Sequence, residues 1–466
     1  MEQYRIEHDL LGEKKVPIDA YYGIQTQRAL ENFPITGYRP HKELILAMVM
    51  VKKAAALANM QLGKLDKKRA DAIIRAADEI LSGQFLDQFV VDVIQGGAGT
   101  SLNMNVNEVI ANRAIEILGG KKGDYTLISP NSHVNMSQST NDVFPTAVRI
   151  AILKLVKSLL AELEHLHEAL LKKSEEFDDV IKMGRTHLQD AVPIRLGQEF
   201  GAYARVINRD LHRIKTASEA LKEVNIGATA VGTGLNAQIE YIESTIENLR
   251  KISGFQVYSA EDLVDATQNV DTLAAFSGSL KILGLNLSKI ANDLRLMASG
   301  PRAGLHEINL PPVQPGSSIM PGKVNPVMAE VVNQVAFQVM GNDHTVALVA
   351  QAGQFELNVM EPVMVFNIIQ SIEILTNVIK VFREKCIMGI TANRERCQDM
   401  VNRSVGIIMA LVPHIGYEGA SKLAKEVIIS GKSVPEIILE KSILTPEETK
   451  VILSPQNMTQ PIYSHR

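Results

Sequence analysis

The run Gly316-Ser-Ser-Ile-Met-Pro-Gly-Lys-Val-Asn-Pro326 brings Ser317, Ser318, Lys323 and Asn325 into eleven positions with no acidic side chain among them. Gly316 and Gly322 permit backbone angles that other residues avoid, and Pro321 stiffens the turn. Two hydroxyls, an amide and one cation on a hinged loop are suited to holding a carboxylate.

Three more segments share this composition. Gln95-Gly-Gly-Ala-Gly-Thr-Ser-Leu-Asn103 places Thr100 ahead of a helical pattern through Val106, Val109, Ile110, Ala114 and Ile117. Ser137-Gln-Ser-Thr-Asn-Asp-Val-Phe-Pro145 offers Ser139, Thr140 and Asn141 as cap formers before a proline that is expected in a first helical turn. Gly184-Arg-Thr-His-Leu-Gln-Asp-Ala-Val-Pro193 adds Thr186 and His187 before a helix expected to begin near Leu196. Helix starts carry free N–H groups and a positive dipole end. Together the four segments read as one composite site for a small dianion. The matching chemistry is removal of a proton from the carbon next to a carboxylate, because donors fixed where charge develops stabilise the resulting dianion. Serine is a weak base unless positive potential surrounds it, and Lys323 with the backbone N–H groups of the closed loop is the expected source.

Long helices must carry these loops. Phe276, Leu280, Leu283, Leu287, Ile290, Leu294 and Met297 recur at steps of four and three, a heptad seam. A second row runs through Ile152, Leu155, Leu159, Leu163, Leu166 and Leu170, and further helical patterns cover roughly 196–224, 327–349 and 362–382. Period-two strand patterns are nearly absent, and at 5% aromatic the chain is poor in residues that strands favour. The expected fold is all-α, with a mainly helical N-terminal domain over 1–140, a central bundle of five long helices over 141–392, and a small helical C-terminal domain over 393–466. Helices are expected near 44–62 and 67–81, with a looped opening around 17–23. Ser433-Val-Pro-Glu436 and Thr445-Pro-Glu-Glu448 match the capping box.

Composition narrows the function classes. A chain of 466 residues exceeds the roughly 250–300 at which single cores stop growing, and 46% hydrophobic with 21% charged residues is ordinary for a globular protein. The formal charge of −4, without a basic cluster, leaves no electrostatic footprint for nucleic acid. No apolar run is expected to approach membrane-spanning length, and no secretory signal is read at the start, so a cytoplasmic location is expected. Cys386 and Cys397 are read as buried free thiols. Gly232-Thr-Gly-Leu-Asn-Ala237 lacks the strand that a dinucleotide fingerprint needs. No His-Glu-x-x-His spacing occurs, and neither a metal nor a cofactor is expected.

At the four loop segments the chain resembles the aspartase/fumarase superfamily, and the resemblance extends over nearly its whole length. It implies a three-domain, mostly helical protomer whose central bundles form a homotetramer, with each active site built from three subunits. It implies Ser317 as the base at C3 of a small dicarboxylate, with Lys323, Asn325 and Thr186 on the α-carboxylate. Thr100, Ser139, Thr140 and Ser318 then hold the β-carboxylate, Asn141 and His187 lie near the leaving group, and Glu330 pairs with His187. Asp9–Gly23, Gly300–Leu310, Val327–Val335 and Leu357–Pro362 look like the aspartase branch, which implies reversible anti elimination of ammonia from L-aspartate to fumarate without a cofactor. His187 and Gly322 agree instead with the fumarases, so hydration of fumarate is the alternative reaction. A structural, non-catalytic relative would be expected to lose site residues that stand intact in this sequence.

Overall fold

The computed structural model describes residues 3–461. Helix accounts for 62% of the chain, in agreement with the all-α expectation. Among the described residues, strands occur as four two-stranded sheets. The five long helices are Thr140–Glu176, Leu196–Ala220, Asp271–Met297, Val327–Gln351 and Glu361–Lys385. The chain divides into two compact units, one of Met1–Leu160, His212–Ile282 and Phe337–Leu375, the other of Ala161–Leu211, Leu283–Ala336 and Thr376–Arg466. Each long helix contributes residues to both. The region before residue 140 lies wholly in the first unit, and the tail after 393 wholly in the second.

Every residue of the heptad seam from Phe276 to Met297 is buried within the chain. Burying one such side chain contributes about 1.5–3 kcal/mol, and the seam reaches this without a partner molecule. The stretch Glu361–Gly389 is long and apolar enough to cross a membrane by length and composition, which corrects the reading that no run approaches that length. It is a core helix: 61% of its apolar window is buried, with Val365, Ile368, Ile372, Ile379 and Phe382 inside.

In the first unit, Tyr4–Asp9 pairs antiparallel with Gly12–Pro17, so a hairpin precedes the looped opening. The helices Lys42–Gln61 and Lys67–Leu81 stand where the apolar pattern put them. The helix Ile24–Asn32 begins at Gly23, which has no side chain to cap it. Buried Glu108 does so from another helix, accepting from Gly23 N and Gln25 N at 2.8 Å and Thr26 N at 3.1 Å. A Cβ on Gly23 would lie 2.8 Å from Glu7 Oε2 and 2.9 Å from Glu108 Cδ, so glycine is required there for close approach.

In the second unit, Ile181–Thr186 and Gln189–Arg195 form an antiparallel hairpin. Ile181 and Met183 enter a core with Val401, Ile408, Leu411 and Leu423 of the tail. Both anticipated capping boxes are present, Ser433 with Glu436 and Thr445 with Glu448.

Candidate active site

The first unit holds Thr100, Ser139, Thr140 and Asn141. Gly97, Ala98 and Gly99 are three successive left-handed residues (φ 92°, 54° and 89°) leading into the helix Thr100–Ile117. Gly99 leaves the helix start without a side-chain cap, and a Cβ there would come within 2.5 Å of the Phe144 ring. Thr100 stands exposed at this start, its Oγ1 donating to Gly97 O at 2.6 Å. Two turns of sequence meet through Asn103, whose Nδ2 donates to Thr140 Oγ1 at 3.0 Å.

The Ser139–Asn141 segment rests on a buried carboxylate. Asp142 accepts from Ser139 N, Gly227 N and Thr229 N, each at 3.0 Å. Burial lifts its pKa to about 6 in spite of these donors. Burial likewise lowers Lys52 to about 7, opposed by the Asp142 charge, while its ammonium group donates to Asn135 Oδ1 at 2.7 Å and Gln138 Oε1 at 3.0 Å. Ser139 Oγ accepts from Asn141 N at 3.2 Å, and Asn141 Nδ2 donates to Ala230 O at 2.7 Å. Pro145 lies inside the helix that begins at Thr140, past the first turn where it was expected. It cannot donate to Asn141 O. Asn225 Nδ2 supplies that bond instead, at 3.0 Å.

The second unit holds Thr186, His187, Ser317, Ser318, Lys323, Asn325 and Glu330. The helix expected near Leu196 begins there, and Thr186 and His187, expected ahead of it, stand at the tip of the hairpin that precedes it, both exposed. His187 and Leu188 have φ of 56° and 60°, as a tight two-residue turn requires but as non-glycine residues rarely adopt. Such strain costs on the order of 1 kcal/mol per residue or more and is typical of functional sites.

The Gly316–Pro326 loop is closed at its base. Gly316 N donates to Lys323 O at 2.8 Å, and Asn325 Nδ2 donates to Gly316 O at 2.6 Å. A Cβ on Gly316 would lie 2.6 Å from Lys323 O and 2.7 Å from Asn325 N, so only glycine allows this closure. Ser317 Oγ accepts from Ile319 N at 3.2 Å and Met320 N at 3.0 Å. Two N–H dipoles aimed at one hydroxyl oxygen favour its deprotonated form. Ser318 and Lys323 are exposed, Ser317 and Asn325 half-buried. Glu330 is half-buried in the first turn of Val327–Gln351, and its expected pairing with His187 is not formed within the chain among the described residues.

The sequence reading passed over a charged cluster beneath the hairpin. Glu307 is fully buried, its Oε1 2.7 Å from Arg185 Nη1 and its Oε2 3.0 Å from Lys182 Nζ. Lys182 also meets both oxygens of Glu199 at 3.0 Å. Glu307 N donates to Met297 O and its own carbonyl accepts from Asn393 N, both at 2.8 Å. The signal in the sequence is Glu307 itself, an acidic residue within the block Gly300–Leu310. Elsewhere Cys386 and Cys397 are buried, and burial pushes both thiols up to about 12. Among the described residues no group of three or more His, Cys, Asp or Glu is placed to hold a metal ion.

A lyase family model matches residues 12–341, and a fumarase C C-terminal model matches 407–460. The aspartate ammonia-lyase of Bacillus subtilis (strain 168) is 61% identical over 460 residues, covering 99% of this chain and 97% of that protein. The crystal structure of a fumarate lyase:delta crystallin from Brucella melitensis has a TM-score of 0.96 at 49% identity, covering 98% of this chain and 100% of that one. A class II fumarase from Schistosoma mansoni has a TM-score of 0.94 at 36% identity, covering 98% and 99%. With lyase models matching most of its length and relatives matching nearly all of it, the chain belongs to the aspartase/fumarase superfamily.

Proposed function

We propose that this protein is an aspartate ammonia-lyase, catalysing the reversible anti elimination of ammonia from L-aspartate to give fumarate. The observation that carries the reading is full-length identity of 61% to a curated aspartate ammonia-lyase, against 36% to the fumarase. The loop geometry supports a mechanism. Ser317, its alkoxide favoured by Ile319 N–H and Met320 N–H, takes the C3 proton. The electron pair left at C3 spreads into the β-carboxylate as an enediolate, which Thr100, Ser139, Thr140 and Ser318 hold. Lys323, Asn325 and Thr186 hold the α-carboxylate. The pair then forms the double bond as the Cα–N bond breaks, and the ammonium group leaves as ammonia carrying its own protons.

Substrate choice follows from that last step. A departing hydroxyl must be protonated, whereas an ammonium group needs only orientation, which Asn141 and His187 provide. His187→Ala is therefore expected to reduce aspartate turnover about 10- to 100-fold without abolishing it, at or below the lower end of acid–base effects. L-malate is expected to be a very poor substrate for the wild type. Following fumarate absorbance from both substrates checks this, and malate turning over as well as aspartate establishes the hydratase reading that His187 and Gly322 favour.

The proposed assembly is a homotetramer with composite sites, in which Glu330 of one subunit pairs with His187 of another. The seam of Asp271–Met297 is already buried within the chain, so support comes from another face. On Val327–Gln351, Phe337 is 62% exposed and Leu348 48% exposed, eleven positions apart and so on one side of the helix, where a partner subunit's helix would cover both. Dilution that dissociates the oligomer is expected to abolish activity, read by light scattering alongside the fumarate assay. A fully active monomer ends the composite-site proposal. A cytoplasmic location fits the two buried free thiols.

A further inference from the structure

The first unit contains a cavity of about 330 Å³ that includes none of the candidate site residues. One wall is a single stripe of the helix Glu361–Lys385, formed by Pro362, Val365, Phe366, Ile369, Gln370 and Glu373 at helical spacing. The floor is apolar and buried, formed by Leu44, Leu102 and Phe144. The mouth is different in character. Tyr38 and Phe366 face each other there, ring centroids 6.0 Å apart and planes within 22° of parallel. His41 Nε2 lies 3.0 Å from Glu373 Oε1, so the carboxylate at the rim already has a partner. Arg39, exposed at the rim, spends one N–H on Asp87 O at 3.3 Å and has others to give. Gln370 Oε1 accepts from Asn342 Nδ2 at 3.0 Å, which leaves its NH2 as a donor.

An apolar floor under a few convergent donors is the anatomy of a small-molecule site. We infer that this cavity binds a small monocarboxylate with an aromatic or branched apolar body, the body on Leu44, Leu102 and Phe144 and the carboxylate on Arg39 and the Gln370 amide. Dicarboxylates such as the proposed substrate do not suit it, because the floor offers no donor to a second charge. The cavity touches the candidate active site at two points. Leu102 stands two residues beyond Thr100, and Phe144 stands one helical turn beyond Thr140 and Asn141 with its ring against Gly99. A bound ligand therefore restrains the two segments of this unit that would hold the β-carboxylate.

The test uses 2-naphthoate as probe, with uncharged 2-naphthamide as control, on the full chain. Fluorescence titration is expected to give one site per chain, saturating below about 1 mM. Arg39→Gln is expected to weaken naphthoate about fivefold and leave naphthamide unchanged, the worth of one partly exposed ionic contact. Val365→Phe, which fills the cavity from its helical wall, is expected to abolish binding of both. Should that variant not fold, Tyr38→Ala, at the exposed rim, is expected to weaken both. Saturating naphthoate is expected to change the KM for aspartate more than kcat. Unsaturable binding, or binding unaffected by the rim and wall variants, overturns the site. Saturable binding with unchanged KM overturns its connection to catalysis. The titration requires no turnover, so its outcome is separate from that of the proposed reaction, on which only the KM arm rests.

Discussion

Ser317→Ala is expected to lower turnover of L-aspartate about 10³- to 10⁴-fold, the upper range for loss of a positioned general base. Binding of succinate, a dicarboxylate that cannot react, is expected to stay within about threefold, because the lost interaction belongs to the transition state. The loss should not come from unfolding. The serine hydroxyl accepts from Ile319 N and Met320 N on an exposed stretch of the loop, so its removal leaves those groups to water. The stability change is then within about 0.5–1 kcal/mol. A second readout separates base from bystander: loss of the base slows proton removal specifically, so the rate difference between L-aspartate deuterated at C3 and the light substrate should be larger for the Ser317→Ala protein than for the wild type. Wild-type-like turnover by the Ser317→Ala protein removes the serine from the mechanism.

Glu307→Ala is expected to have the largest effect on stability. Lys182 keeps Glu199 after the substitution, with both carboxylate oxygens at 3.0 Å. The guanidinium of Arg185 loses its only carboxylate partner among the described residues, 14% exposed as a side chain. Removing one member of a buried ion pair costs about 3–5 kcal/mol, and the partial exposure of Arg185 argues for about 3. Glu307→Gln keeps the volume and an acceptor, so its cost should be smaller. The midpoint of urea unfolding measures both. Because Arg185 immediately precedes Thr186 and His187, the Gln variant should also raise the KM for aspartate more than it lowers kcat, a split that loss of folded protein alone does not produce. An Ala variant within about 1 kcal/mol of wild type shows that the cluster is not holding the hairpin.

The amino-acid sequence alone determined the helical framework and the chemistry of the loops. The five long helices, the buried seam from Phe276 to Met297 and the two capping boxes follow from apolar spacing and from cap residues within a few positions of the helix they start. The groups clustered at Gly316–Pro326 are likewise a matter of composition, because hinge residues and neutral donors can be read in order along one strand of text. Tertiary structure decided the rest. The hairpin Ile181–Arg195 was not legible because Lys182, at a buried strand position, breaks the apolar alternation, and what makes that position tolerable is Glu199 and Glu307. The cap of Ile24–Asn32 comes from Glu108, and the carbonyl left open by Pro145 is closed by Asn225. Arg185 and Glu307 are 122 positions apart. Local pattern reports how each residue partitions between water and core, but an ion pair or a borrowed cap depends on which distant backbone arrives beside it, and only the folded chain decides that.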